Sequence, residues 1–168
     1  MSAAEKGEGG GLDETPVERT SRYLEERGVA FELVEHDRAL TAEAEAHAAG
    51  IDADDAAKGV LLHTGAGYML AVIPASARLD LDKARDASGQ AELRLASESE
   101  MAVVFPGAEL GAVPPFGPDA PAPALVDRRL LEHERILCNA GDHRHSLLVA
   151  PGDLVSLASA SVADLCQG

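Results

Sequence analysis

Lys58-Gly59-Val60-Leu61-Leu62-His63, Thr64-Gly65-Ala66-Gly67 and Tyr68-Met69-Leu70-Ala71-Val72-Ile73 form the stretch whose reading decides the fold. Two apolar runs flank a short turn carrying two glycines, which is the pattern of a β-hairpin with its first strand at Val60–His63. The second run is apolar almost without a break, so it is expected at the centre of a sheet, covered on both faces. Lys58 stands just ahead of the hairpin.

Toward the N-terminus, Thr41 is placed to cap an Ala-rich helix ending near Gly50. Before it, Val29, Phe31 and Leu33 alternate with Ala30, Glu32 and Val34, predicting a half-buried strand. Thr15-Pro16-Val17-Glu18 is a capping box with proline at the first helical position. The helix it opens carries Val17, Thr20, Tyr23 and Leu24 on one face and stops at Gly28. Residues 1–14 are rich in Gly, Glu and Ala without periodicity and are expected to be a disordered leader, with the folded domain at 15–168.

Toward the C-terminus, Leu79 to Ser88 fits a short helix closed by Gly89, and Leu93-Arg94-Leu95 a short strand. Ser97-Glu98-Ser99-Glu100 is a second capping box, ahead of Met101, Val103, Val104 and Phe105. A Gly/Pro-rich loop runs from Gly107 to Gly117. Strands are expected at Ala124–Val126, Arg135–Cys138 and Leu147–Val149, a short helix after Asp127, and a final helix from Pro151 over Leu154, Val155 and Leu157. Helices and strands are interspersed, so the fold class is α+β: one domain with a mixed, partly barrel-like β-sheet flanked by short helices.

The chain has 168 residues, 46% of them hydrophobic, enough for a real core. No apolar run reaches the roughly 18–20 residues of a membrane helix. The first residues lack the apolar segment of a secretory signal, and a cytoplasmic protein is expected. Cys138 and Cys166 are the only cysteines, without metal-site spacing; one disulfide between them is arithmetically allowed, and two free thiols are expected. The net charge is −15, of which residues 1–57 carry −10, residues 58–126 −3 and residues 127–168 −2. That balance excludes a broad basic surface gripping nucleic acid along its length, and DNA is not an expected partner.

There is no phosphate-cradling GxxxxGK[ST], no GxSxG nucleophile turn and no HExxH zinc helix. Gly65-Ala66-Gly67 lies inside a hairpin, away from the strand-to-helix turn a dinucleotide site needs. Asp52-Ala53-Asp54 lacks the later ligands of a calcium loop. His143 and His145 are spaced to share one face of a strand, but without further ligands they read as exposed histidines. No cofactor and no metal are expected.

Two features remain. Lys58 is one of only three lysines, against eleven arginines, and its flexible stem can bring an ammonium into a pocket; a solvated lysine at a strand start is the plainer alternative. Gly111-Ala112-Val113-Pro114-Pro115-Phe116-Gly117 combines stiffening prolines with permissive glycines. It suits a rigid rim whose backbone groups face a ligand, or a plain connection.

Lys58 before Val60-Leu61-Leu62, and Tyr68 through Ala75, resemble the YbaK/EbsC family. So do Leu79-Asp80-Leu81-Asp82-Lys83, Leu93 through Glu98, Gly111 to Gly117 and Asn139-Ala140-Gly141. This is the family of the prolyl-tRNA synthetase editing domain and its free-standing relatives, and the resemblance runs from about Pro16 to Leu165. It implies a trans-editing aminoacyl-tRNA deacylase, hydrolysing the ester of a tRNA mischarged with a small amino acid such as Ala, Cys or Ser. Editing exists because a pocket for a small side chain rejects near-isosteres poorly by binding alone.

By the same resemblance, Lys58 and Gly111 are the catalytic positions, the lysine holding the acceptor end near the scissile ester. Ala112, Val113, Pro114, Pro115, Phe116, Asn139, Ala140, Gly141 and His145 are substrate-binding. The implied partners are an aminoacyl-tRNA acceptor end and an aminoacyl-tRNA synthetase. Two departures stand out. Ala140 or Gly141 falls where some alanyl-type editors have a histidine, and Gly59 where several relatives have a polar residue. The alternatives are a non-catalytic module that binds a synthetase or tRNA, and a hydrolase of small aminoacyl esters. The acidic first third predicts weak, salt-sensitive tRNA binding.

Overall fold

The computed structural model describes residues 14–109 and 112–168. The expected leader therefore lies outside the described residues except for Glu14, whose carboxylate pairs with Arg22 at 2.7 Å.

Helix α1 spans Pro16–Glu26 with the capping box complete: Thr15 Oγ1 accepts from the Glu18 amide and Glu18 accepts from the Thr15 amide. Strand β1 (Glu32–Glu35) and helix α2 (Ala42–Ala48, capped by Thr41) follow. The hairpin is β2 (Ala57–His63) and β3 (Tyr68–Pro74). Next come α3 (Leu81–Ser88), β4 (Arg94–Leu95) and α4 (Glu98–Val104). Gly89 ends α3 in the left-handed conformation (φ +71°), where a side chain would be strained. After the long loop come β5 (Leu125–Asp127), a 3-10 turn over Arg128–Glu132 capped by Asp127, β6 (Ile136–Asn139) and β7 (His145–Val149). Helix α5 (Pro151–Leu157) and β8 (Ser161–Ala163) close the described chain.

The strands form two sheets. One is mixed, in the order β4-β2-β3-β5-β8; the other is antiparallel, in the order β1-β7-β6. A parallel bridge between Ala56 and Leu137 joins them, so β6 runs alongside the start of β2. Strand β3 is central, as its apolar run demands: it pairs with β2 on one side and β5 on the other, and Leu70–Ala75 are buried. Around Leu24, Val72, Val126, Ile136, Leu147 and Leu154 the main core fills the space between α1, α5 and the two sheets. Each such fully buried aliphatic side chain contributes roughly 1.5–3 kcal/mol of transfer free energy. A second core under α3 joins Leu62, Ile73, Ala84 and Leu93. Among the described residues no helix is long and apolar enough to cross a membrane.

Four local expectations need correction. Strand β2 begins at Ala57, so Lys58 lies within it, opposite Ile73, because pairing to β3 continues through the apolar-poor start. Val29 and Phe31 pack on the core before β1 begins, and β1 itself is an edge strand with Leu33 exposed. Strand β8 was not foreseen: Ser161-Val162-Ala163 is too short to carry a pattern and is fixed by parallel pairing to β5. His143 is buried in the turn before β7, so it shares no strand face with His145.

Candidate functional site

Lys58 is half-buried, and its ammonium makes no hydrogen bond or ion pair to any described residue. By contrast Lys83 is spent, donating to Asp164 (3.0 Å) and to the Cys166 carbonyl (2.7 Å). Lys58 and Asn139 each follow the Ala56–Leu137 bridge by two residues, so strand alternation gives them the same side of neighbouring strands.

Gly59, next in β2, faces the other way. A Cβ there would lie 3.8 Å from the Val113 carbonyl oxygen and 3.8 Å from Val113 Cγ1. The loop is thus laid over β2 at Gly59, and a long polar side chain at 59 would displace it. Lysine and loop flank one strand at adjacent residues.

Gly111 lies outside the described residues. Ala112, Val113, Pro114, Pro115 and Phe116 are all buried, and Phe116 enters the main core beside Ala57. The Ala112 amide donates to the Glu109 carbonyl (2.9 Å), and downstream Asp119 pairs with Arg19 of α1 (3.0 Å). Pro114, Phe116, Gly141 and Pro16 line a crevice of about 30 Å³.

The 139–145 stretch is a tied turn. Asn139, buried, engages both its amide hydrogens: Nδ2 donates to Glu45 Oε2 (2.5 Å) and to the Asp142 carbonyl (3.0 Å), while Oδ1 accepts from the Gly141 amide (2.6 Å). Ala140 is fully buried and donates to the His145 carbonyl (3.2 Å). Gly141 adopts φ +122°, and a Cβ would approach Pro16 Cβ to 2.7 Å, so only glycine fits against α1. His145 Nδ1 lies 2.9 Å from the Asp142 carboxylate and Nε2 3.7 Å from Glu35, at the start of β7. The turn also grips the loop: the His143 amide donates to Glu109 Oε1 (2.8 Å) and the Glu109 amide to the Gly141 carbonyl (3.4 Å).

Glu45 is the residue that sequence reading missed. Burial pushes its carboxyl up to about 7, against the Asn139 hydrogen bond and with help from the nearby Asp142 charge. A signal was present in Ala42-Glu43-Ala44-Glu45-Ala46-His47-Ala48-Ala49. The apolar stripe Ala42, Ala46, Ala49, of which Ala46 is fully buried, puts position 45 on the inner arc of α2, where an acid needs a partner. Both cysteines are free and buried, and burial pushes the Cys138 thiol to about 12, so it is no nucleophile. Among the described residues no group of three or more His, Cys, Asp or Glu is placed to hold a metal ion. What the arrangement offers is a cation without a described partner on one face of β2 and a rigid backbone loop laid over the other face at the next residue.

A family model for the aminoacyl-tRNA editing domain matches residues 36–157. The chain is similar to a proline–tRNA ligase of Shouchella clausii (strain KSM-K16), 32% identical over 142 residues, or 84% of this chain and 24% of the ligase. It thus spans about a quarter of that relative's length. Among solved structures, a candidate trans-editing enzyme for prolyl tRNA synthetase is 32% identical with a TM-score of 0.82, over 91% of this chain and 98% of that one. A scaffold from epitope-backbone grafting by computational design is 31% identical with a TM-score of 0.81, over 91% and 97%.

Proposed function

The chain belongs to the aminoacyl-tRNA editing domain family, and on that premise we propose that it is a trans-editing deacylase of tRNA mischarged with a small amino acid of the Ala, Cys or Ser type. The observation that carries the reading is the half-buried Lys58 ammonium, without a described partner, one residue along β2 from Gly59, where the 112–116 loop crosses the opposite face. The folded unit 15–168 acts as one editing domain, receiving an acceptor end presented by tRNA alone or with a synthetase.

In this reading Lys58 holds the phosphate-rich acceptor end, and backbone groups of the Gly111–Pro115 loop orient the carbonyl and a water. The water oxygen bonds to the ester carbon, and the carbon–oxygen bond to the terminal ribose breaks. The ribose oxygen takes up a proton, the second water proton is released, and free amino acid and uncharged tRNA result. An activated aminoacyl ester needs positioning and oxyanion stabilisation more than a covalent intermediate. No protein nucleophile is required.

A second reading, a non-catalytic module that docks tRNA or a synthetase, draws support from the 139–145 turn. Asn139 has both Nδ2 hydrogens engaged and its Oδ1 accepting from Gly141, and His145 is tied to Asp142. The two part on one experiment: deacylation of a panel of aminoacyl-tRNAs, with retention by a synthetase measured in parallel. Turnover of a mischarged small amino acid supports the deacylase; retention without turnover supports the module. Comparison with a minimal aminoacyl-adenosine separates tRNA editing from general ester hydrolysis.

A further inference from the structure

At one end of the five-stranded sheet lies a cavity that the proposed hydrolysis does not use. Strands β3 and β5 run parallel, so their C-terminal ends point the same way, and the N-terminal end of β2 meets them there. The turns at these ends enclose a space of about 230 Å³. Asp54 closes it from the turn before β2, Ser76 from the end of β3, and Arg129, Glu132 and His133 from the turn after β5.

Its polar groups are of two kinds. Some are engaged within the fold: the Asp55 carboxylate pairs with His133 Nδ1, and Ser76 Oγ donates to Asp54 Oδ1. Arg129 and Glu132 are different. Neither side chain makes a hydrogen bond or ion pair to any described residue. They stand three residues apart on one turn, a spacing at which Asp82 and Arg85 of α3 meet at 2.9 Å. Here guanidinium and carboxylate line the same cavity and do not meet each other. Arg129 is also half-buried, so an anion paired with it gains more than at an open surface.

The charges select the ligand. One guanidinium faces the cavity beside two carboxylates, Asp54 and Glu132, while Asp55 is turned to His133. A simple anion meets Arg129 but is repelled by both acids. A simple cation meets the acids but is repelled by Arg129. Among the described residues no three are placed to hold a metal ion. A molecule carrying an ammonium and a carboxylate a few bonds apart satisfies both sides. The volume lies below the roughly 300–1,000 Å³ of pockets for drug-sized ligands, and suits something smaller.

We propose that this cavity binds a free α-amino acid, its carboxylate on Arg129 and its ammonium on Glu132 and Asp54. Pro74 and Ala77 complete the wall and offer an apolar surface to a small side chain. An aminoacyl ester keeps the ammonium but has no carboxylate, so the cavity takes the released amino acid and passes over its ester. Calling that amino acid the product of this protein rests on the deacylase reading; the binding itself does not.

The test titrates the folded chain with L-alanine, L-alaninamide and N-acetyl-L-alanine, following the amide NMR signals of Ser76, Glu132 and His133. The second compound lacks the carboxylate and the third lacks the ammonium. L-Alanine is expected to move all three signals with a Kd of about 1 mM, and the other two compounds to bind at least about tenfold more weakly. Arg129→Ala should weaken L-alanine binding by about tenfold or more, read at Ser76 and His133. No shift with L-alanine, equal binding of L-alaninamide, or an Arg129→Ala protein that binds L-alanine as wild type does overturns the proposal. Should Arg129→Ala fail to fold, Glu132→Gln takes its place with the same expected loss. Deacylation of mischarged tRNA, run in parallel, keeps the two readings apart. Hydrolysis without L-alanine binding overturns the amino-acid site alone, and binding without hydrolysis of any charged tRNA overturns the deacylase alone.

Discussion

Glu45 should make the folded protein less stable as pH rises, and the size of the effect can be worked out. Burial raises its carboxyl from 4.5 to about 7. Between those values the folded state holds a proton that the unfolded chain has released, so the folded state binds more protons. Stability is then fully present below about pH 4.5, declines as pH climbs toward 7, and stays at its lower level above it. At about 1.4 kcal/mol per pH unit, the gap corresponds to a ceiling of roughly 3 kcal/mol. The sequence pI of about 4.6 makes the acid end of the window unusable, because a protein of no net charge precipitates. Urea unfolding from pH 5.5 to 8.5 should still capture about 2 kcal/mol, or roughly 4–8 °C in a thermal melt of a chain this size. Glu45→Gln cannot ionise, so its stability should change less over the same range by that amount, and it should exceed wild type at pH 8.5. Parallel curves for the two proteins would refute the assignment of a buried, neutral-range carboxyl at position 45.

Two further perturbations test the frame around the site. Gly141→Ala puts a Cβ at 2.7 Å from Pro16 on a residue at φ +122°, and should destabilise by about 3 kcal/mol, measured as a lowered urea midpoint. Asp127 is fully buried and its carboxylate accepts from the Arg129 amide (2.9 Å), the Leu165 amide (2.8 Å) and the Cys166 thiol (3.2 Å). Asp127→Ala strands those donors and should cost about 3 kcal/mol, with Cys166 becoming reactive to a thiol reagent as the C-terminal segment lifts.

Much of the scaffold could be read from the chain because its signals are local. Thr15 and Ser97 open helices through capping boxes that need only four residues, and Gly89 ends one by its φ alone. The hairpin from Val60 to Ile73 was legible because its second strand is uniformly apolar, which matches a central strand. What stayed hidden depends on partners far along the chain. Glu45 meets Asn139 ninety-four residues away, and His36 meets Ser146 across one hundred and ten. Neither separation leaves a periodic mark. Asn139 and His145 were sensible candidates by residue type, yet their polar atoms serve the turn itself. Lys58 differs because its sequence neighbours are apolar, and the fold leaves its ammonium without a described partner.

The most direct test of the central claim is the rate of deacylation of a mischarged, small-amino-acid tRNA by wild type and by Lys58→Ala, with circular dichroism confirming an unchanged fold. The account predicts that wild type turns the ester over and that the variant loses at least about a hundredfold in kcat/KM, roughly 2.7 kcal/mol of transition-state stabilisation. Full activity in Lys58→Ala would contradict it.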